Sequence, residues 1–161
     1  ESLAILEYLD LQYPDSPRLF PSDPLAKAKV QMKIARLEPL TDRMFTSINK
    51  GRREATKGIE QDIPVFAEVL NGKTFFGGDD LNIIDILPFP YLNRMRELPG
   101  LSEHLIQNDT IEQWFQAVCD HPAVKPGQGR LENEVFEIAS KNFRAGKPVM
   151  SWPMRDLTQE Q

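Results

Sequence analysis

Apolar residues recur along this chain at three- and four-residue intervals, and no stretch alternates long enough to predict a strand. Leu3, Ile5, Leu6 and Leu9 follow Ser2, a good N-cap, and predict a short helix that ends at Tyr13-Pro14-Asp15-Ser16-Pro17. Leu19-Phe20-Pro21-Ser22-Asp23-Pro24 reads as a linker. Ser22 or Asp23 caps the next helix, and Pro24 sits in its first turn, where a missing N–H costs nothing. That long helix runs from Pro24 to Asn49, with Val30, Ile34, Leu37, Met44 and Ile48 on one stripe and a kink expected at Pro39. Lys50-Gly51-Arg52-Arg53 breaks the pattern. A third helix follows from Thr56 to Leu70, with Pro64 as a kink or a delayed start. Asn71-Gly72-Lys73 is a turn, and Gly77 and Gly78 lie in a compact loop.

Asn82 with Asp85 three residues on predicts a capping-box start to a helix reaching Glu97. Pro88 and Pro90 interrupt it, at about 3 kcal/mol each in an unconstrained helix interior, so a bent helix held by packing is expected. A short helix or turn spans Leu101 to Ile106. Asn108, Asp109 or Thr110 then caps a helix that turns Ile111, Trp114, Phe115 and Val118 inward, with Gln113 placed to close a box with Thr110. Leu131, Val135, Ile138 and Asn142 mark a last helix, and residues 146–161 form a loose tail. The expected fold is all-α: a bundle of five to six helices around a long kinked central one.

The chain has 161 residues, 40% of them apolar and 27% charged, which is globular composition for one domain with a real core. A net charge of -5 argues against nucleic acid, which needs a basic face. No apolar run has the length of a membrane span. The single Cys119 excludes an intrachain disulfide and favours a reducing, cytoplasmic setting. His104 and His121 lack partners at metal-ligand spacing, so no metal site is expected.

Three segments together resemble soluble glutathione transferases. They are Glu1-Ser2-Leu3-Ala4-Ile5-Leu6-Glu7-Tyr8-Leu9, the linker Leu19 to Pro24 with the long helix after it, and the loop Phe75-Phe76-Gly77-Gly78 leading into Asn82-Ile83-Ile84-Asp85. The family usually has Ser or Thr where Asn82 stands, and Asn caps equally well. The Phe-Phe-Gly-Gly run, Ile84-Asp85, Pro90 between Phe89 and Tyr91, and Pro39 look most like the omega class. The resemblance covers nearly the whole chain, most clearly residues 1–122.

The resemblance implies that residues 1–13 are the last helix of a thioredoxin-like domain, 14–23 a linker, 24–145 a helical C-terminal domain and 146–161 its tail. It implies glutathione as cosubstrate, bound by Glu1 and Ser2. The glutamate supplies a counter-charge for the γ-glutamyl ammonium, while the hydroxyl and the helix N-terminus receive the carboxylate. By themselves, Ser2 and Glu1 read first as an ordinary cap and its dipole partner, and it is the surrounding segments that favour the ligand site.

Met32, Met44, Phe45, Phe89 and Tyr91 are the candidate wall of an acceptor pocket, with core packing as the other reading. Asn82 and Asp85 are expected in structural capping. Omega-class enzymes place a nucleophilic Cys at a helix N-terminus of the thioredoxin-like domain, where the thiolate is favoured. Cys119 stands near a predicted helix C-terminus, which disfavours it, so no catalytic residue is expected in this chain.

The parent enzyme would perform thiol transfer and dehydroascorbate reduction on a small electrophilic or oxidised substrate, and these 161 residues alone would be inactive. A homodimer is expected by resemblance for the full-length protein. The alternative is a non-catalytic interaction or ligand-carrying module.

Overall fold

Each described stretch with a three-and-four apolar period is helical in the computed structural model, which describes residues 2–127 and 140–147. In chain order the helices are α1 (Ser2–Gln12), α2 (Pro24–Asn49), α3 (Arg52–Leu70), α4 (Ile83–Ile86), α5 (Phe89–Glu97), α6 (Ser102–Ile106) and α7 (Asp109–Asp120). A 3-10 turn, Lys125–Gly127, follows, and 140–144 is helical again. The rest of the expected last helix and nearly all of the tail lie outside the described residues, as does Glu1. No strand occurs among the described residues; Phe75 and Gly78 exchange two backbone hydrogen bonds of 3.1 and 3.0 Å across a tight loop. The chain is an all-α bundle.

Helix α2 runs through the bundle and touches α3, α4 and α5. Asp23, rather than Ser22, caps it, accepting the Ala26 N–H at 2.8 Å. Pro39 lies inside a helix that continues on both sides of it. The stripe Val30, Ile34, Leu37, Met44 and Ile48 is buried, as its spacing predicts. α3 begins four residues earlier than expected. Gly51 takes φ of 101°, a left-handed value that reverses the chain within two residues, so Arg52 and Arg53 already belong to the next helix. Where the two helices meet, Gly58 lies so close to Ser47 that a Cβ would come within 2.9 Å of its Oγ.

The single bent helix expected from Asn82 to Glu97 is two helices. Pro88 cannot donate to the Ile84 carbonyl, and the chain breaks there instead of bending. Pro90 then falls in the first turn of α5, where its missing N–H has no partner to lose. The interior-proline cost is thus avoided rather than absorbed. Asn108 caps α7, accepting the Ile111 N–H at 3.2 Å, so Thr110 lies inside the helix and cannot act as the cap of a box with Gln113.

α4 is a single turn, too short to persist alone. The Asn82 side chain accepts the Ile84 N–H at 2.9 Å, and Asp85 returns to the Asn82 N–H at 3.1 Å. The fully buried Asp85 carboxylate also accepts the Phe76 N–H and the Trp114 indole N–H, each at 2.8 Å. Burial pushes its pKa above the ordinary 3.8, while the N–H groups of Trp114, Phe76, Asn82 and Gly77 offset part of that rise.

Two predictions follow from this junction. A Cβ on Gly77 would overlap the Asn82 amide. Gly77→Ala is therefore expected to cost about 1–3 kcal/mol in urea unfolding, through a displaced cap and a strained contact; an unchanged midpoint would show that Asn82 can move away freely. Because Asp85 holds its proton more tightly in the folded state, its neutral form favours folding. That contribution is present below pH 3.8 and is lost as pH rises through the raised pKa. Asp85→Asn carries no such titration. The stability difference, wild type minus variant, should grow as pH falls from 7 toward 4, and a pH-independent difference would contradict the assignment.

Candidate functional site

Leu87 and Pro88, between α4 and α5, line a cleft of about 410 Å³ whose other walls come from three parts of the chain. α1 supplies Ser2 and Leu6; α2 supplies Ile34, Leu37, Glu38, Thr41 and Asp42; α4 and α5 supply Ile84, Ile86, Pro90, Tyr91 and Arg94. On α2 the contributors follow i, i+3, i+4, i+7 and i+8 from Ile34, one continuous stripe. The floor is apolar. The rim carries two exposed carboxylates, Glu38 and Asp42, and one exposed guanidinium, Arg94. Such a lining suits a small molecule with an apolar body and a polar end.

Several contacts fix the walls. The Thr41 hydroxyl donates to the Glu38 carbonyl at 2.8 Å. Tyr91 meets Phe45 edge to face, with ring centroids 6.2 Å apart. Arg43 points away to α3, where its guanidinium donates to the fully buried Asp62 carboxylate at 2.6 and 3.2 Å, a bond that raises the Arg43 pKa further. Arg94 is therefore the basic side chain among the lining residues. Behind the floor, the Lys33 ammonium donates to the Phe76 carbonyl at 2.5 Å. Burial pushes its pKa down, Lys73 adds to that, and Asp85 opposes it.

Of the five residues expected to line an acceptor pocket, only Tyr91 lines this cleft. Met32 is 74% exposed, because it lies about 200° around α2 from Ile34. Met44 is fully buried in the core stripe. Phe45 is part-exposed and braces Tyr91 from outside. Phe89 packs on Trp114 and Phe115, at centroid distances of 6.3 and 5.2 Å. Ser2 lies at the cleft within α1, and Glu1 is outside the described residues. Sequence reasoning missed Glu38, Thr41, Asp42 and Arg94. Their signal was spacing: 38 and 42 stand one turn apart beside the apolar stripe, and 94 stands i+3 from Tyr91.

Among the described residues, no group of three His, Cys, Asp or Glu is placed to hold a metal ion, and no helix is long and apolar enough to cross a membrane. Cys119 is half-buried in the last turn of α7 and packs against the core. His121 lies edge to face on Phe75.

This architecture has relatives. The family model for the glutathione S-transferase C-terminal domain matches residues 34–122, more than half of the 161. Glutathione S-transferase omega-2 of Mus musculus is 30% identical over 131 residues, which is 77% of this chain and 52% of the mouse protein. Pyrimidodiazepine synthase of Drosophila melanogaster is 34% identical over 163 residues, 97% of this chain and 65% of that protein. The chain thus spans about half the length of the mouse relative. Among solved structures, a Tau class glutathione S-transferase from mango superposes with a TM-score of 0.62 at 21% identity, covering 90% of this chain and 70% of that one. That likeness is one of fold. The α2–α7 bundle and the sequence match across it lead to one conclusion: the chain belongs to the glutathione S-transferase C-terminal domain family.

Proposed function

We propose that this chain is the helical half of an omega-like glutathione transferase, carrying the acceptor wall and one edge of the glutathione site. The observation that supports this most is the position of Ser2 at the rim of the same cleft as Tyr91 and Arg94. In this reading α1 is the last helix of a thioredoxin-like domain, residues 14–23 are the linker, and 24–145 form the helical domain. The Ser2 hydroxyl and the free N–H groups of the first turn of α1 receive the γ-glutamyl carboxylate, and Glu1 balances the ammonium. The acceptor lies on the Ile34, Leu37 and Ile84 floor, with its polar end toward Tyr91 and Arg94.

The outward face of α1 supports this reading. Ile5, Tyr8 and Leu11 are 59%, 62% and 62% exposed, an apolar surface of the kind another packed domain covers. The nucleophile for thiol transfer or dehydroascorbate reduction is then a Cys outside these 161 residues. Cys119 lies in the last turn of α7, packed against the core. Glutathione is the cosubstrate and the acceptor is a small electrophilic or oxidised molecule.

The 161-residue chain is expected to be retained on glutathione resin and released by free glutathione. Ser2→Ala should pass through, and dehydroascorbate should be reduced no faster than in buffer. Turnover by this chain alone would place the nucleophile within it. Equal flow-through of wild type and variant would favour the interaction-module reading.

A further inference from the structure

Apolar burial does little to hold α1 against the bundle. Leu3 and Leu6 are partly covered, and the one buried residue of the helix is a carboxylate, Asp10. Its side chain is 3% exposed. It accepts the Leu19 N–H at 2.6 Å and pairs with the Arg18 guanidinium at 3.1 Å. The Leu19 carbonyl in turn accepts the N–H of Ile83, the first residue of α4, at 3.4 Å. One residue of the linker therefore carries the contact from α1 to the cleft floor: its N–H belongs to Asp10 and its C=O to α4. A second tie, Glu7 to Lys27 at 2.5 Å, joins α1 to the first turn of α2 in a part-exposed setting.

We propose that Asp10 is a positioning residue for Ser2: through Leu19 it sets the span between the α1 side of the cleft and Ile84. The inference rests on the reading of Ser2 as the group that receives the glutathione carboxylate. Geometry makes the lever long. Ser2 lies eight residues before Asp10, about 12 Å along the helix axis at 1.5 Å per residue. A tilt of about 5° at Asp10 then moves Ser2 by about 1 Å, enough to misalign a hydrogen-bonded ligand. The buried carboxylate suits this task because a hydrogen bond is directional, whereas the partial apolar contact of Leu3 and Leu6 tolerates sliding.

The test uses the 161-residue chain, Asp10→Ala and Asp10→Asn, with two readouts: backbone hydrogen exchange, which needs no ligand, and a glutathione titration followed at the Ser2 amide. In D10A, exchange should rise across α1 and at Leu19 while α3 and α7 stay protected, and glutathione affinity should fall about tenfold. D10N keeps an oxygen that accepts the Leu19 N–H, so it should recover most of both. Unchanged affinity in D10A overturns the proposal, as does equal loss in D10N and D10A. Loss of protection in α3 and α7 as well would assign Asp10 to global stability and overturn the positioning role. If the wild-type Ser2 amide does not respond to glutathione, the reading of Ser2 fails and positioning fails with it. The exchange data then show separately whether Asp10 holds α1.

Discussion

The Asp85 carboxylate draws together three pieces of chain. It accepts N–H groups from the Phe75–Gly78 loop, from the start of α4 and from the indole of Trp114 on α7. Burying a lone carboxylate costs several kcal/mol even after relaxation, so its burial is tolerable only when all these donors are in place. The aromatic packing around it depends on the same condition. Phe76 meets Trp114 at 5.3 Å and Phe66 at 6.2 Å, and Trp114 meets Phe89 at 6.3 Å. Trp114 can be fully buried there because its N–H has an acceptor. Remove the carboxylate and both a polar orphan and a loosened aromatic cluster result.

The cleft inherits its shape from that junction. Its floor includes Ile84 and Ile86, which belong to a one-turn helix that the capping box and the buried Ile83 and Ile84 hold in place. Pro88 then stops the helix, and α5 supplies Tyr91 and Arg94 to the cleft. Leu87, Pro88 and Pro90 themselves line the cleft where the two helices meet.

The features legible in the sequence were those written locally. The i, i+4, i+7 stripe of α2, the Asp23 and Asn82 caps and the Asn82–Asp85 spacing each depend on residues within one or two turns, and helix periodicity reports them directly. The break at Pro88 was misread as a bend because propensity rules give a cost for an interior proline but not the choice between bending and ending a helix. The cleft was less legible. Met32 and Met44 were chosen for residue type, yet side-chain direction sends one to solvent and the other to the core. Glu38, Asp42 and Arg94 look like ordinary solvated positions until α1 and α5 are placed opposite them. Asp10 gave no signal either, since its partner is a backbone N–H nine residues away in an irregular linker.

Three fully or nearly fully buried carboxylates stand at three junctions: Asp10 between α1 and the linker, Asp62 between α3 and α2, and Asp85 between loop, α4 and α7. Apolar burial supplies most of the drive to fold, but it is non-directional and leaves helices free to slide or tilt against one another. A carboxylate held by two or more N–H groups adds direction. Replacing such a group with a well-packed apolar side chain can be neutral for stability, so stability alone gives little reason to keep it. Geometry gives a better one. A cleft assembled from three separate segments, rather than carried on one helix, keeps its dimensions only if the joints between those segments are fixed. In this chain Asp10 and Asp85 fix two joints on either side of the cleft, with the backbone of Leu19 and Ile83 between them.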